Sequence, residues 1–465
     1  MTSIRDWAGK GPLALALTAA CSNTEAPRPA TSPPAPSLPR PNVLLVIVDD
    51  LYAKIGVYGE GPATPNLDRL ARQGRRFDRA YVQFPLCNPS RTSLLSGWRP
   101  ERTRVWSNSD APRAHLEGAT PMQEHFRAHG YFTARLGKVY HSPFEHEFRW
   151  DLAWDPPGEP EAEESRPSDE DDISARLRAT PNQDQDEPDG RTVRRAAELL
   201  AEKRDRPFFV AVGLLRPHGP WIAPQKYFDL YPPGKVRLPE QVPGDLDDVP
   251  RVVLKRGAEP DIPRDKWPEA LAAYYACVGF MDAQVGVLLD ALDRQGLWDN
   301  TVVVLVSDHG IERGEHGLWR KNVLFEESTR VPLLVAAPGL KRPGVATRSF
   351  AELVDIYPTL SDLAGTPRPQ GLDGQSLVPI LEDPSRTVKD AVFTVTNRGR
   401  QLGRSVRTER YRFTRWRPDA AELYDLEADP HEYRNLAQDP QFAKVIEEME
   451  ARLLAGHAGA VVLDR

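Results

Sequence analysis

The sequence predicts an α/β fold: a large, mostly parallel sheet flanked by helices, followed by a small C-terminal subdomain with an antiparallel sheet and a helix. Three observations lead to this prediction. Unbroken apolar runs rich in β-branched residues cover positions 43–48, 207–215 and 301–306, which is typical of strands buried on both faces of a parallel sheet. Helical patterns alternate with these runs, as in open α/β sheets. After about residue 385 the chain changes to short strands joined by turns.

The remaining elements follow in chain order. Helical patterns cover residues 65–73, 92–95, 122–129, 192–203 and 270–295. Residues 155–190 are crowded with Pro, Glu and Asp and are expected to form a solvated surface excursion, and residues 232–265 are expected to be mostly loop. Short strands are expected at 391–395, 404–408, 411–416 and 422–426, with a closing helix at 440–454. These elements divide the chain into a large domain at 42–385 and a subdomain at 386–465.

The first 41 residues have the features of an export leader and a tether. Arg5 and Lys10 precede an apolar run at 12–20, which is too short to span a bilayer and is typical of a signal peptide. The leader, residues 1–21, ends in a run that resembles a bacterial lipoprotein cleavage site at Cys21, so lipidation of Cys21 and plain secretion both remain open. Residues 22–41 are rich in Pro, Ala and Ser, which predicts a disordered tether. We expect an exported protein that is periplasmic or anchored by lipid on Cys21, and otherwise secreted.

Composition excludes some classes of function. The formal net charge of -7 over 465 residues argues against a nucleic-acid binder, which would carry a basic face. Three cysteines are too few for a disulfide framework. Cys277 lies in a helical pattern and is expected to be a buried thiol.

Polar side chains follow all three apolar runs. Asp49 and Asp50 end the first run, His218 follows the second, and Asp308 and His309 follow the third. Because ligands in open α/β sheets gather outside the carboxyl ends of the strands, these residues are expected to lie together. Carboxylates are hard oxygen ligands suited to Ca²⁺ or Mg²⁺. A pair of acids after a single strand can also cap a helix or a turn, but two strands that both end in metal-type ligands favour a divalent metal site.

The segment from Cys87 to Arg91, C-N-P-S-R, carries the chemistry. By residue type alone, Cys87 before a helical pattern could be a thiolate nucleophile. Together with residues 92–97, however, the segment resembles the signature of the type I, formylglycine-dependent sulfatases of the alkaline-phosphatase-like superfamily. The resemblance implies that a formylglycine-generating enzyme oxidises Cys87 to Cα-formylglycine, whose hydrated form attacks sulfur and then releases sulfate as the aldehyde reforms.

Other segments extend the resemblance. Residues 130–141 are similar to the second signature of these sulfatases, and residues 314–321 are similar to the segment that carries their sulfate-binding lysine. The resemblance implies that Lys138 and His141 hold the hydrated aldehyde and the sulfate oxygens, that His218 faces the leaving group, and that Lys321 binds sulfate. The general acid for the leaving alcohol would be His218, or Lys321 in its stead. Arg91 is implied to fix the modified residue and to neutralise the ligand cluster. The implied ligands of one divalent metal, with Ca²⁺ favoured and Mg²⁺ as the alternative, are Asp49, Asp50, modified Cys87, Asp308 and His309.

Within the family, the sequence looks most like the iduronate-2-sulfatase branch. His309, the stretch at 216–231 and the segments at 405–408 and 422–430 carry this likeness. It implies hydrolysis of a sulfated small molecule or saccharide such as a 2-sulfated uronate, as in glycosaminoglycan degradation. Two alternatives remain: a phosphonate or phosphate diester hydrolase on the same fold, and a non-catalytic lipoprotein that binds sulfated glycans. The second alternative would be marked by loss of the nucleophile or the cationic residues, and none of these is missing.

Overall fold

The computed structural model describes residues 40–157, 176–202, 206–254 and 262–456. The predicted leader and nearly all of the predicted tether lie outside the described residues, as do positions 158–175 of the acidic segment. The end of that segment differs from the prediction, because residues 177–180 form a short parallel pair with residues 221–224 and residue 188 begins a helix.

The described chain alternates strands and helices up to residue 382 and then forms a four-stranded sheet and a helix. The strands are β1 (Asn42–Val48), β2 (Arg75–Tyr81), β3 (Phe132–Gly137), β4 (Leu152–Trp154), β5 (Leu177–Thr180), β6 (Phe208–Leu214), β7 (Trp221–Pro224), β8 (Thr301–Ser307), β9 (Arg330–Ala336), β10 (Thr347–Glu352), β11 (Val392–Arg398), β12 (Gln401–Arg407), β13 (Tyr411–Arg417) and β14 (Ala420–Asp425). The α-helices are α1 (Pro65–Gln73), α2 (Cys87–Ser96), α3 (Pro100–Thr103), α4 (Met122–Ala128), α5 (Pro188–Glu202), α6 (Gln225–Phe228), α7 (Trp267–Gln295), α8 (Glu326–Thr329), α9 (Ile356–Leu363), α10 (Val378–Glu382) and α11 (Ala443–Gly456).

The large sheet has the strand order β10-β2-β9-β8-β1-β6-β3-β4. All its neighbours pair in parallel except β9, which is antiparallel to both β2 and β8. The prediction of a mostly parallel sheet is therefore confirmed. The strands β8, β1, β6 and β3 are consecutive, so their carboxyl ends meet at one edge.

Both faces of the large sheet are covered. Leu44, Val46 and Val48 of β1 pack into one core with residues of α1, α5 and α7, whereas Leu45 and Ile47 pack into a second core with residues of α2, α4 and α9. Each such side chain contributes about 1.5–3 kcal/mol when it is fully buried. Burial on both faces explains why the strand is apolar throughout rather than alternating.

Two helices differ from what their sequence patterns alone suggest. The helix α7 belongs to a segment that is long and apolar enough to cross a membrane, but 78% of its most apolar window is buried and it packs in the first core. The helix α2 begins at Cys87, five residues before the predicted helical pattern. All ten of its residues are buried, although several are polar. The helix therefore has no solvent-exposed side, and its sequence lacks the regular alternation of apolar and polar positions that marks a surface helix.

The C-terminal subdomain has the predicted form. The strands β11, β12, β13 and β14 pair in sequence as an antiparallel sheet. Val406, Phe413 and Leu423 on this sheet pack against Met449 and Leu453 of α11. The apolar face of the helix thus closes a small separate core.

Candidate active site

The carboxyl ends of four neighbouring strands bring the predicted site residues together. The loops that follow these strands carry most of these residues, and the start of α2 completes the group. The contributing residues are Asp49 and Asp50 after β1, Lys138 and His141 after β3, His218 after β6, Asp308 and His309 after β8, Lys321 in the following loop, and Cys87 and Arg91 on α2.

Cys87 lies at the centre of this group and is fully buried. Its Sγ lies 3.2 Å from His309 Nε2, 3.2 Å from Lys321 Nζ and 3.6 Å from Asp49 Oδ1. Burial raises the pKa of the thiol, but Lys321, Lys138 and His309 outweigh it and hold the pKa well below its ordinary value. Cys87 also occupies the first turn of α2, where the helix dipole favours negative charge. The position is therefore built to stabilise an anion.

Three buried carboxylates each face a cation. Lys138 Nζ lies 2.6 Å from Asp49 Oδ2, and Lys321 Nζ lies 2.9 Å from Asp50 Oδ1. The third carboxylate, Asp308, accepts a hydrogen bond from an arginine on α2. The two lysines thus reach the cluster from different loops.

The arginine is Arg91, and it is fully buried. Its Nε donates to Asp308 Oδ2 at 2.7 Å, and its Nη2 lies 3.6 Å from Asp49 Oδ2. Its Nη1 donates to the carbonyl oxygens of Lys138 and Val139. Arg91 therefore neutralises two of the predicted ligands and fixes the loop after β3.

Three histidines complete the group. His309 Nδ1 lies 3.4 Å from Asp50 Oδ1, and His218 Nε2 lies 3.9 Å from Asp50 Oδ2. Burial and Lys321 lower the pKa of His218, but the carboxylates of Asp50 and Asp49 outweigh them and leave the pKa above its ordinary value. His141 forms a hydrogen bond with the Cys87 side chain that lowers the thiol pKa.

The donor set suits a divalent cation. Single ligand atoms of Asp49, Asp50, Cys87 and His218 all lie within 4.8 Å of one another, and so do those of Asp49, Cys87, Asp308 and His309. Three carboxylates provide the hard oxygen ligands that Ca²⁺ and Mg²⁺ prefer, and His309 adds a nitrogen donor that is softer. Arg91, Lys138 and Lys321 offset part of the negative charge. The residues therefore fit the predicted metal.

The structure also contains contacts that the sequence reading missed. Ser90 Oγ donates to the carbonyl oxygen of Asp308, and its place inside the C-N-P-S-R segment could have signalled a role. Tyr274 on α7 donates its hydroxyl to the carbonyl oxygen of Asp50 at 2.9 Å. Tyr274 lies 224 residues from Asp50 inside an apolar helix, and no sequence signal marks it.

Comparison with protein families decides the class. The profile of the family called Sulfatase matches residues 41–366. The chain belongs to the sulfatase family. A second profile, described as N-sulphoglucosamine sulphohydrolase, C-terminal, matches residues 314–458 of this sulfatase. The predicted family and the mixed α/β fold are therefore confirmed.

Individual relatives cover nearly the whole chain. A protein named sulfatase from Formosa agariphila is 32% identical, and the alignment covers 89% of this chain and 86% of the relative. A choline-sulfatase from Rhizobium meliloti is 32% identical, with coverages of 86% and 83%, and the human iduronate 2-sulfatase is 30% identical, with coverages of 86% and 92%. These relatives support a sulfatase that hydrolyses sulfate esters. The iduronate-2-sulfatase branch is one of several at similar identity.

Solved structures share the fold. The phosphonate monoester hydrolase of Agrobacterium radiobacter superposes with a TM-score of 0.77 at 24% identity. The superposition covers 91% of this chain and 96% of the hydrolase chain. A structure described as a 2-O GAG sulfatase superposes with a TM-score of 0.72 at 25% identity, with coverages of 90% and 92%. The architecture is thus common to enzymes with sulfate and phosphonate substrates.

Proposed function

We propose that this sulfatase cleaves sulfate monoesters with a formylglycine made from Cys87, beside one divalent cation, and that its substrate is a sulfated saccharide such as a 2-sulfated uronate. The observation that carries the proposal is the position of Cys87. The side chain is fully buried at a helix N-terminus, within 3.2 Å of both Lys321 Nζ and His309 Nε2. An ordinary structural thiol gains nothing from such a cationic surrounding, whereas an oxyanion at this position does.

Asp49, Asp50, Asp308 and His309, with the modified residue 87, would hold the cation. When bound, it would offset the three carboxylates and lower the pKa of a hydroxyl at position 87. As hydrated formylglycine, position 87 would supply one hydroxyl whose attack on sulfur breaks the S–O bond to the leaving alcohol. Deprotonation of the second hydroxyl would then break the C–O bond to sulfate and restore the aldehyde. Ca²⁺ is favoured over Mg²⁺ because the cluster supplies its oxygen ligands directly from the protein.

The lysines are placed to bind the sulfate. Lys321 Nζ lies 2.9 Å from Asp50 Oδ1 and 3.2 Å from Cys87 Sγ. An ammonium between a carboxylate and the nucleophile can transfer its hydrogen bonds to a sulfate oxygen that approaches the nucleophile. Lys138 is paired with Asp49 in the same way. Such preorganised cations stabilise the charge that develops in the transition state.

His218 is suited to protonate the leaving alcohol. Its Nδ1 lies 2.6 Å from the carbonyl oxygen of Gly219, which assigns a proton to Nδ1. Its Nε2 faces the cluster, 3.9 Å from Asp50 Oδ2, so a protonated ring would hold its second proton on the side where the substrate binds. The side chain is 18% exposed, so it lies on the accessible side of the site, where a general acid must be.

The substrate proposal is supported by the relatives. The human iduronate 2-sulfatase and the 2-O GAG sulfatase structure both carry names that refer to sulfated saccharides. We also propose export, based on the leader at residues 1–21, with anchoring by lipid if Cys21 is modified. A Cys21→Ser variant would then leave the membrane fraction, whereas a secreted protein would be unaffected.

A phosphonate or phosphate diester hydrolase remains the second candidate, because phosphonate monoester hydrolases share the fold. Parallel assays decide between them. The matured protein is given an aryl sulfate, an aryl phosphonate monoester, a phosphate diester and a 2-sulfated uronate disaccharide, and kcat/KM is measured for each. The sulfated disaccharide is expected to have the largest value. A phosphonate monoester or phosphate diester with a much larger kcat/KM than any sulfate ester would refute the proposal.

A further inference from the structure

Arg313 is a buried cation that the proposed chemistry does not use. Only 1% of the residue is exposed, and its Nε and Nη2 donate no hydrogen bond to any residue in the described part of the chain. The guanidinium carbon lies 4.3 Å from the ring centre of Tyr274 and 4.6 Å from that of Trp221. Arg313 Nη1 donates one long hydrogen bond of 3.4 Å to the carbonyl oxygen of Glu312, so the charge lies mainly against the two aromatic rings.

Such a group is costly for folding. Burial of a charge without full hydrogen bonding destabilises the native state, and stacking on aromatic faces recovers only part of that loss. A leucine or methionine at position 313 would fill apolar surroundings without this cost. A buried group with unsatisfied donors calls for a functional explanation.

Tyr274, whose ring lies against Arg313, contacts the backbone of the site residue Asp50. The hydroxyl of Tyr274 donates to the carbonyl oxygen of Asp50 at 2.9 Å and accepts from the backbone N–H of Tyr52 at 3.2 Å. Asp50 has φ of 60°, a left-handed conformation that is strained for a residue with a Cβ and persists only when its surroundings enforce it. Tyr274 therefore fixes the turn that aims the Asp50 carboxylate.

We propose that Arg313 is a positioning residue for Asp50: its charge over the Tyr274 ring orients and polarises the hydroxyl that holds the Asp50 backbone. A cation on the face of a phenol withdraws electron density and makes the hydroxyl a stronger donor. The inference rests on the proposed function, in which Asp50 is a metal ligand.

Two effects of Arg313 on metal binding have opposite signs. As a nearby positive charge it repels a divalent cation, so its removal would tighten binding. As a positioning residue it preserves the ligand geometry, so its removal would weaken binding. The sign of the change therefore separates the two roles.

The test is the calcium affinity of the full chain after treatment with a chelator, measured by titration calorimetry. Arg313→Met is expected to weaken calcium binding about tenfold, as for other residues that orient a metal ligand. Arg313→Lys, which keeps a cation over the ring, is expected to recover most of that loss. In a Tyr274→Phe background, Arg313→Met is expected to cause no further loss, because the hydroxyl through which it acts is gone.

The control is Arg79→Met, which removes a guanidinium stacked 5.4 Å from the ring centre of Phe350 and is expected to leave the affinity unchanged. The Tm of metal-free Arg313→Met is expected to equal or exceed that of the unaltered chain. Calcium binding that is unchanged or tighter in Arg313→Met, or weakened equally in both backgrounds, would overturn the inference. If the unaltered chain binds no calcium, and Asp50→Asn changes nothing, the proposed metal site fails instead.

Discussion

Two buried clusters of charge in this protein have the same kinds of side chain but different architecture. The site cluster consists of Asp49, Asp50, Asp308, Arg91, Lys138 and Lys321. The joint cluster, where the C-terminal sheet meets the large domain, consists of Glu352, Asp355, Arg99 and Lys389. The two acids and Lys389 of the joint cluster are at least nine-tenths buried, and the Arg99 side chain is 17% exposed. The side chains of the site cluster are buried to a similar extent, so burial alone does not distinguish the two clusters.

In the joint cluster, nearly every carboxylate oxygen has a hydrogen-bond donor or a cation beside it. Glu352 accepts from Arg99 Nη1 at 2.8 Å, from Arg99 Nη2 at 2.6 Å and from Lys389 Nζ at 2.7 Å. It also accepts from the backbone N–H of Phe393 on β11 at 3.0 Å. Asp355 lies 2.6 Å from the same lysine. Since two acids face two cations with nearly every oxygen satisfied, this cluster fixes structure.

In the site cluster, the carboxylates have fewer close donors and cations. Asp50 has one close cation, Lys321, while the two histidines near it lie at 3.4 Å and 3.9 Å. The lysines of the site cluster are single point charges on flexible side chains, so each can exchange its carboxylate partner for another anion. The number of hydrogen-bond donors around each carboxylate thus separates a cluster that stabilises the fold from one with room for a metal and a sulfate.

The largest expected effect comes from the nucleophile. Cys87→Ala should lower kcat/KM on a sulfate ester by at least about a thousandfold, because it removes a group that forms a covalent bond. Cys277→Ala is the matched control, since Cys277 is also fully buried but burial raises its pKa to about 12. Cys277→Ala is expected to keep its activity, measured per folded molecule.

Removal of the metal is the next test. Treatment with a chelator should abolish sulfate release, and added Ca²⁺ should restore it. The Tm should fall on chelation, because a ligand that binds only the native state at a hundredfold excess over its Kd stabilises it by about 2.7 kcal/mol. Full activity in the presence of excess chelator would contradict the assignment of the site cluster.

The same substitution in the two clusters should give opposite results. Lys321→Met should lower kcat/KM by about a hundredfold or more through loss of transition-state charge stabilisation, with little change in the Tm of the calcium-loaded protein. Lys389→Met should lower the free energy of unfolding by about 3–5 kcal/mol, because it breaks a buried ion pair. Its activity per folded molecule should persist. If both variants lose mainly stability, the distinction between the clusters is wrong.

The smallest expected effect concerns the loop that carries Lys321. His316 Nδ1 lies 3.0 Å from Asp245 Oδ2. Burial lowers the pKa of His316, but Asp245 and Glu312 outweigh it and raise the pKa to about 9 from an ordinary value of 6.5. The folded-state pKa is above the unfolded value, so this stabilisation is complete below pH 6.5 and is lost as the pH rises through 9.

Over that range the loss should reach about 3 kcal/mol. Thermal unfolding between pH 6 and pH 10 measures it, and His316→Asn should flatten the profile. An identical pH dependence in both proteins would show that the pair does not stabilise this loop.

The sequence predicted the parts of the fold that have a simple hydrophobic pattern. The strands β1, β6 and β8 lie where the apolar runs predicted them, because both of their faces are buried. The start of α2 was placed too late, and β2 was not predicted, because its seven residues include three arginines and an aspartate. Arg75 and Arg79 have tertiary partners, and Arg76 pairs with Asp78 in the same strand. A pattern of apolar residues shows none of these contacts.

The site residues were likewise predictable only where a sequence pattern marks them. Asp49 and Asp308 could be predicted to lie together because the ends of parallel strands meet. Cys87 and Lys321 could be predicted because the segments that carry them resemble known signatures. Contacts that depend only on packing, such as the one from Tyr274 to Asp50, were not predictable. The substrate was not predictable for a similar reason, since the residues around the nucleophile set the reaction and not the sugar.

Mass spectrometry of the peptide that contains Cys87 shows whether this residue is converted to formylglycine. The protein is purified from its native host and its activity on a sulfate ester is measured in the same sample. We expect the peptide to carry the aldehyde in place of the thiol, in a fraction that matches the active fraction. An unmodified Cys87 thiol in fully active protein would show that the enzyme does not use formylglycine.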